Sequence, residues 1–342
     1  MTALLRPGDR VAILSPSFAV PGAYPAVHEQ AMTRLRDLGV EPVEYPTTRQ
    51  VGASPVDRAR DVTAAFADPS IRAIMATIGG NDQITVTPHL DDEVIRANPK
   101  RFLGYSDNTN LLNHLWRLGI PGFYGGSTQV HIGPGPRIDA AHLTALRAAL
   151  FTGSEVEVTN PAESEDFCVD WGDPRSLSEF GHRVPSDPLE WSGPEKAVEG
   201  RTWGGCLEVL SQLGIAGRFP AVDDLRGGIL LLEASERLTP APEIRDIVRA
   251  LGERGLLGVV AGVMLARTPT THHQEPPRTE EERALARREQ IDVVVDTVRS
   301  YNPDAVVCVG VPFGHTRPQW ILPYGGTVRL DGGEKRVFAD YR

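Results

Sequence analysis

A chain of 342 residues, 41% hydrophobic and 23% charged, is long enough for two packed domains and too apolar for a disordered one. Its formal charge of −10 and lack of any Lys/Arg cluster exclude a nucleic acid polymer as a general partner, since phosphate binding needs a basic face. Three cysteines, Cys168, Cys206 and Cys308, odd in number and without C-x-x-C spacing, exclude a disulfide framework and a zinc site.

Residues 10–16 (RVAILSP) read as a buried strand. A helical pattern over 27–38 (VHEQAMTRLRDL) is stopped by Gly39 and followed by a strand at 40–45. Residues 55–66 read as a helix and 71–78 (IRAIMATI) as a buried strand ending at Gly79-Gly80. A short strand at 101–105 (RFLGY) runs into a helix at 108–118. This β-α-β-α alternation argues for a mostly parallel sheet with helices on both faces. Residues 160–200 lose periodicity and gain Pro, Asp, Ser, Glu and Gly, as expected of an interdomain connection that carries Trp171 and Trp191. Regular pattern resumes with a helix at 204–213, a strand at 228–233 (GILLLE), a helix at 241–254 and a strand at 257–265 (LGVVAGVML). A long helix at 280–299 and a buried strand at 305–309 (AVVCV) follow. Strands at 326–330 and 335–340 are joined by Asp331-Gly332-Gly333, a hairpin signal. The expected fold is α/β. A mostly parallel N-terminal sheet flanked by helices (1–155) leads through a connection (156–200) to a second, mixed α/β domain (201–342). The segment MTALLRPGDRVAILSPS has no cationic stretch followed by a long apolar one, and no run reaches membrane-spanning length. A cytoplasmic location and no membrane partner are the expectations.

Four segments carry possible chemistry. In Gly104-Tyr105-Ser106-Asp107-Asn108 a strand gives way to a helix within two residues, so a serine there is exposed on a tight turn beside free helix amides. That suits a nucleophile, although Asn108 stands where G-x-S-x-G has glycine; Ser106 or Asp107 also reads as an N-cap. Gly79-Gly80-Asn81 after a buried strand lets backbone amides approach an oxyanion, or is an ordinary βα turn. Glu233 ends an apolar strand, where a carboxylate needs a partner; Glu236 and Arg237 follow at once, so a structural ion pair is the alternative. His315 follows a strand in a loop, at the edge where open α/β sheets place functional groups, or is a satisfied polar loop residue. The adjacent His272 and His273 diverge as neighbours do and lack a carboxylate at ligand spacing, so no metal is expected there. Together the four segments supply the hydroxyl, base, carboxylate and amide donors of acyl transfer, and their positions place such a site at the domain interface.

With these residues stand RPGDRVAILSPS (6–17), TIGGND (77–82), GYSDNTNLL (104–112), FYGGS (123–127), VEGRTWGG (198–205), LLLEAS (230–235) and FGHTRPQWILPYG (313–325). In that order, over essentially the whole chain, they resemble the LD-carboxypeptidase family of serine peptidases, and within it the microcin C immunity branch. The resemblance implies Ser106 as nucleophile, His315 as base and Glu233 as the group that orients the imidazole. It implies an oxyanion hole from the amides of Asp107 and the Gly80 region, and no metal or cofactor. Murein-type members usually carry Arg-Gly-Gly-Tyr-Gly where this chain has Ile78-Gly79-Gly80-Asn81-Asp82. The implied substrate is therefore a peptidyl- or aminoacyl-nucleotide antibiotic cleaved at an amide-type bond. Gly79 and Asn81 would line its site and Trp191, or else Trp171, would stack on the base. The loop around Trp191 (PLEWSGPEKAVEG) departs from the family pattern. A murein tetrapeptide carboxypeptidase and a non-catalytic toxin-binding immunity protein are the alternatives, and a homodimer is expected from the family.

Overall fold

The computed structural model describes residues 3–272, 275–276 and 278–342; His273 lies outside them. β1 (Arg10–Leu14) leads through the one-turn α1 (Val20–Ala23) into α2 (Pro25–Leu38). Pro25 opens α2, where its missing N–H breaks no helical bond, and Gly39 closes it in the left-handed conformation at φ 103°. Then come β2 (Glu41–Glu44), α3 (Pro55–Ala67), β3 (Ile71–Ala76), α4 (Asp92–Ala97), β4 (Arg101–Gly104), α5 (Thr109–Arg117), β5 (Gly122–Tyr124) and α6 (Ala140–Arg147). The connection holds β6 (Glu155–Glu157), β7 (Glu163–Ser164), β8 (Val184–Pro185) and β9 (Glu190–Ser192). The rest of the chain forms β10 (Ala197–Cys206), α7 (Leu207–Ile215), β11 (Ile229–Glu233), α8 (Ala241–Glu253), β12 (Gly262–Ala266), α9 (Glu280–Tyr301), β13 (Val306–Val311), β14 (Leu322–Tyr324), β15 (Thr327–Asp331) and β16 (Arg336–Asp340). A capping box between Thr279 and Glu282 starts α9, with three glutamates in the first turn where the helix dipole favours them.

The strands form two main sheets. One runs β14-β5-β4-β3-β1-β2 and is parallel except for β14. The other runs β6-β16-β15-β10-β11-β12-β13-β9, with β10 to β13 parallel and antiparallel strands outside them. This is the expected α/β fold of a parallel sheet and a mixed one. One continuous apolar core joins them, with Leu111, Leu112 and Leu115 of α5 in the same cluster as Trp203 and Leu207. Polar ties cross the same seam: Trp203 Nε1 donates to Asn113 Oδ1 at 3.0 Å and Trp116 Nε1 to the Thr202 carbonyl at 3.1 Å.

Three local expectations change. The helix read at 204–213 begins only at Leu207, because Gly204 to Cys206 finish β10 beside β11. The strand read at 257–265 is a strand only from Gly262 to Ala266, since the apolar residues before it fill a buried turn after α8, where burial and not extension selects them. The connection is less irregular than its composition suggests, because β6 and β9 form the two edges of the second sheet.

The connection also ties the halves through buried charge. Arg317 lies between Asp139 (3.1 Å) and Glu165 (3.4 Å), and Arg183 contacts the same two carboxylates at 2.8 and 3.3 Å. Glu165 and Arg317 also exchange backbone hydrogen bonds of 2.8 and 2.9 Å, two residues from His315. Burial alone would lower the Arg317 pKa, but Glu165 and Asp139 override it and hold the guanidinium charged. Glu165→Ala leaves two cations on one carboxylate, so we expect a loss of about 3–5 kcal/mol. Urea denaturation checks this, and a loss under about 1 kcal/mol, the worth of an exposed pair, would remove the network from any supporting role.

Candidate active site

The turn after β4 is unusual in its backbone. Ser106 has φ 61°, the left-handed region that non-glycine residues adopt at a cost of about 1–3 kcal/mol. Its neighbours fix it there. The Asn108 side chain donates to the carbonyls of Ile78 (3.0 Å) and Tyr105 (3.1 Å) and accepts from Gln83 Nε2 at 2.8 Å. Asn108 thus has a structural task that the glycine of a standard elbow lacks. Asp107 is buried and accepts from the Ser17 hydroxyl (2.5 Å) and the Gln83 amide (2.9 Å). Burial raises its carboxyl pKa against the pull of those two donors. Neither Ser106 nor Asp107 caps the helix with its side chain.

Gly79 faces this turn. A Cβ on it would lie 2.8 Å from Ser106 Cβ and 3.1 Å from the Asp107 nitrogen, so only glycine lets the two loops approach. The Gly79 carbonyl accepts from the Phe18 amide at 3.1 Å. In a trans peptide the Gly80 N–H points the opposite way and is turned from Phe18.

The second sheet supplies the rest. Glu233 ends β11 and is wholly buried. Its Oε2 accepts from His315 Nδ1 at 2.5 Å and its Oε1 from the Tyr124 hydroxyl at 2.5 Å. A Cβ on Gly314 would lie 2.9 Å from Glu233 Oε2, so the residue before the histidine must be small. His315 Nε2 lies 3.0 Å from Ser106 Oγ. Gln319 steadies the histidine loop, donating to the Gly314 carbonyl at 2.6 Å and accepting from the Gly126 amide at 3.2 Å. The Tyr105 ring packs edge-on against the imidazole, 5.1 Å between centroids.

The predicted serine, histidine and glutamate are therefore brought together at the seam between the sheets. Two partners escaped sequence reading. Tyr124 also accepts from the Ser106 amide at 3.3 Å, and so touches both halves of the constellation. Its only prior signal is its place in FYGGS. Glu236 Oε2 lies 3.0 Å from His315 Nε2, on the same nitrogen that faces Ser106. Burial favours a neutral imidazole, but Glu233 and Glu236 override it and raise the His315 pKa well above 6.5. Glu236 is half exposed; the partial desolvation of its crowded position opposes charge, and the His315 ring overrides it, lowering that carboxyl to about 2.

The other predicted residues are spread out. Gly80 and Asn81 are exposed beside the Ser106 turn. Trp171 packs edge-on against Tyr24, 5.6 Å between centroids, and donates to Cys168 Sγ at 3.1 Å. Trp191 sits on β9 opposite Cys308, packed on the core with the Lys335 ammonium 6.0 Å from its ring. Among the described residues no group of three or more His, Cys, Asp and Glu side chains could hold a metal ion, and no helix is long and apolar enough to cross a membrane.

The His315 shift has a measurable sign. A raised pKa means that the imidazolium's contribution to stability is full below about pH 6.5 and is lost as pH rises through the folded value. NMR of the imidazole nitrogens is expected to show titration above 6.5, moving down in Glu233→Gln. An ordinary titration near 6.5 in the unaltered protein would contradict the two-carboxylate environment.

The sequence and fold also match known proteins. The LD-carboxypeptidase N-terminal domain matches residues 11–125 and the C-terminal domain residues 199–330. A putative carboxypeptidase of Vibrio cholerae is 27% identical over 95% of this chain and 93% of its own length. The microcin C7 self-immunity protein MccF of Escherichia coli is 26% identical over 82% of this chain and 77% of its own. The murein tetrapeptide carboxypeptidase of Pseudomonas aeruginosa is 26% identical over 96% and 94%. The structure of MccF in complex with aspartyl sulfamoyl adenosine superposes with a TM-score of 0.85 at 22% identity, covering 99% of this chain and 98% of that one. This chain belongs to the LD-carboxypeptidase family and is a serine-type carboxypeptidase.

Proposed function

We propose that Ser106, His315 and Glu233 form the catalytic triad of a hydrolase that cleaves the amide-type bond of an aminoacyl- or peptidyl-nucleotide of the microcin C kind. The observation that carries the chemistry is the unbroken chain Ser106 Oγ–His315–Glu233, at 3.0 and 2.5 Å, on a serine held at φ 61°. Ser106 Oγ attacks the acyl carbon while Nε2 of neutral His315 takes the hydroxyl proton. The carbonyl oxygen becomes an oxyanion that accepts from the amides of Asp107 and Gly80. His315 then gives its proton to the leaving nitrogen, and the C–N bond breaks to leave an acyl-serine. Water, deprotonated by the same nitrogen, hydrolyses the ester. Glu233 holds the ring by Nδ1 throughout, and Tyr124 holds Glu233.

The substrate assignment rests on three supports. This chain has Asn81-Asp82 where murein-type members usually carry Tyr-Gly, and Asp82 is committed to a bidentate pair with Arg58 at 2.7 and 2.8 Å. MccF, similar in sequence and in fold, has been solved with aspartyl sulfamoyl adenosine. Trp171 lies on the connection against Tyr24 and Cys168, while Trp191 is packed on the core, so in this reading Trp171 is the tryptophan that meets the base. In this reading Gly79 and Asn81 also contact the substrate.

Purified protein is expected to hydrolyse aspartyl sulfamoyl adenosine. Cleavage of a murein tetrapeptide with no action on the nucleotide would transfer the assignment to cell-wall recycling. Ser106→Ala is expected to abolish turnover and protection together; protection without turnover would mean a binding protein. Tyr124→Phe removes one hydrogen bond to a buried carboxylate, about 1.5–3 kcal/mol, so kcat/KM falls roughly 10- to 100-fold. An unchanged rate would show that Tyr124 does not act on Glu233.

A further inference from the structure

His315 is faced by an acid on each nitrogen. Glu233 stands 2.5 Å from Nδ1 and Glu236 3.0 Å from Nε2. An imidazole so placed is an imidazolium, and an imidazolium has no lone pair on Nε2 to take the Ser106 proton. The resting arrangement is therefore poised but not yet basic, and something must displace Glu236.

The two carboxylates differ in what can reach them. Glu233 is fully buried, whereas the Glu236 side chain is 52% exposed at the mouth of the site. Glu236 Oε2 and Ser106 Oγ both lie 3.0 Å from the same nitrogen, so the carboxylate is within two hydrogen-bond lengths of the nucleophile. An acyl carbon in attack position sits roughly 3–3.5 Å from Oγ. In an unblocked aminoacyl group the α-nitrogen is only about 2.5 Å further, by standard bond lengths. A substrate seated with that nitrogen toward Glu236 brings its cation within reach of the carboxylate. Other titratable groups near the pair are Tyr105, His131, Cys168 and Arg317 behind the ring, His272 beside Glu236, and the adjacent Arg237. Arg317 is taken up by Asp139 and Glu165, and among the described residues no ion pair joins Arg237 to Glu236.

We propose that Glu236 is a specificity-determining residue for acyl donors with a free α-ammonium: its carboxylate clamps the His315 imidazolium at rest and passes to the substrate's ammonium on binding, which frees Nε2 to serve as base. The displaced imidazolium loses its Nε2 proton to solvent, the substrate nitrogen keeps all of its own, and the neutral ring then takes the proton of Ser106. The inference rests on the hydrolase reading above and narrows it, because an aminoacyl group carries the required ammonium and a residue acylated within a peptide does not.

The test compares aspartyl sulfamoyl adenosine with its N-acetyl derivative, on the unaltered enzyme, Glu236→Gln and Glu236→Asp. The unaltered enzyme is expected to prefer the free amine in kcat/KM by about 10- to 100-fold, the size of one charge-assisted hydrogen bond. Glu236→Gln is expected to lose that preference and to move the acid limb of the kcat/KM profile to lower pH, since the ring loses one carboxylate; Glu236→Asp is expected to recover part of both. Cleavage of both compounds with the same preference and the same profile in Glu236→Gln would overturn the proposal and leave the triad untouched. Failure of the unaltered enzyme to cleave either compound would count against the substrate reading instead. In that event NMR of His315 decides. Aspartic acid α-amide is expected to lower the imidazole pKa and its N-acetyl form to leave it, and equal responses to the two would overturn the clamp.

Discussion

The burial of one carboxylate organises this active site. Glu233 is removed entirely from water, and a lone ionised carboxylate in that position would be prohibitively costly. Both of its oxygens are answered, one by Tyr124 from the first sheet and one by His315 from the loop after β13. Each answer constrains the fold. Tyr124 requires β5 to lie against the second sheet, and His315 requires glycine before it so that the loop can close on Glu233. The serine then needs only the turn after β4 to bring it to the free side of the imidazole.

The electrostatics divide the site into a fixed part and an adjustable part. Glu233, Tyr124 and Nδ1 are buried and mutually satisfied, so their arrangement has no cheap alternative. Nε2 faces the opening, where a hydroxyl and an exposed carboxylate compete for it at equal distance. Chemistry at such a nitrogen depends on which neighbour it is paired with, and the substrate is the component that can change the pairing. Arg317, two residues after His315 on the same loop, is itself held between Asp139 and Glu165.

Much of this was legible in the chain itself. β1, β3, β11 and β13 are short apolar runs closed by turn residues, and strands buried on both faces leave that signature. Ser106, Glu233 and His315 stood out because each ends or closely follows a short strand. β10 did not stand out: its first half pairs antiparallel with β15 and is partly exposed, while its second half is glycine-rich and lies against β11. β5 and β14 have three residues each, too few for a period to register. Tyr124 joins the site only through adjacency between strands far apart in sequence, and spacing carries no trace of that. Glu236 was visible as a charge after Glu233, but its pairing with the imidazole depends on the course of a loop some eighty residues away.

The edges of the two sheets carry a consequence of their own. β14 comes from the second family domain, yet it completes the first sheet beside β5, just after the histidine loop. β6 lies in the connection, yet it forms an outer edge of the second sheet against β16. Each half therefore borrows backbone pairing from beyond its own boundary, and a cut between them would bare an unpaired strand edge on both products. The halves match separate family domains but are not separate in mechanics. They are cross-stitched, so the shared strands oppose any swinging apart of the lobes about the seam that holds Ser106.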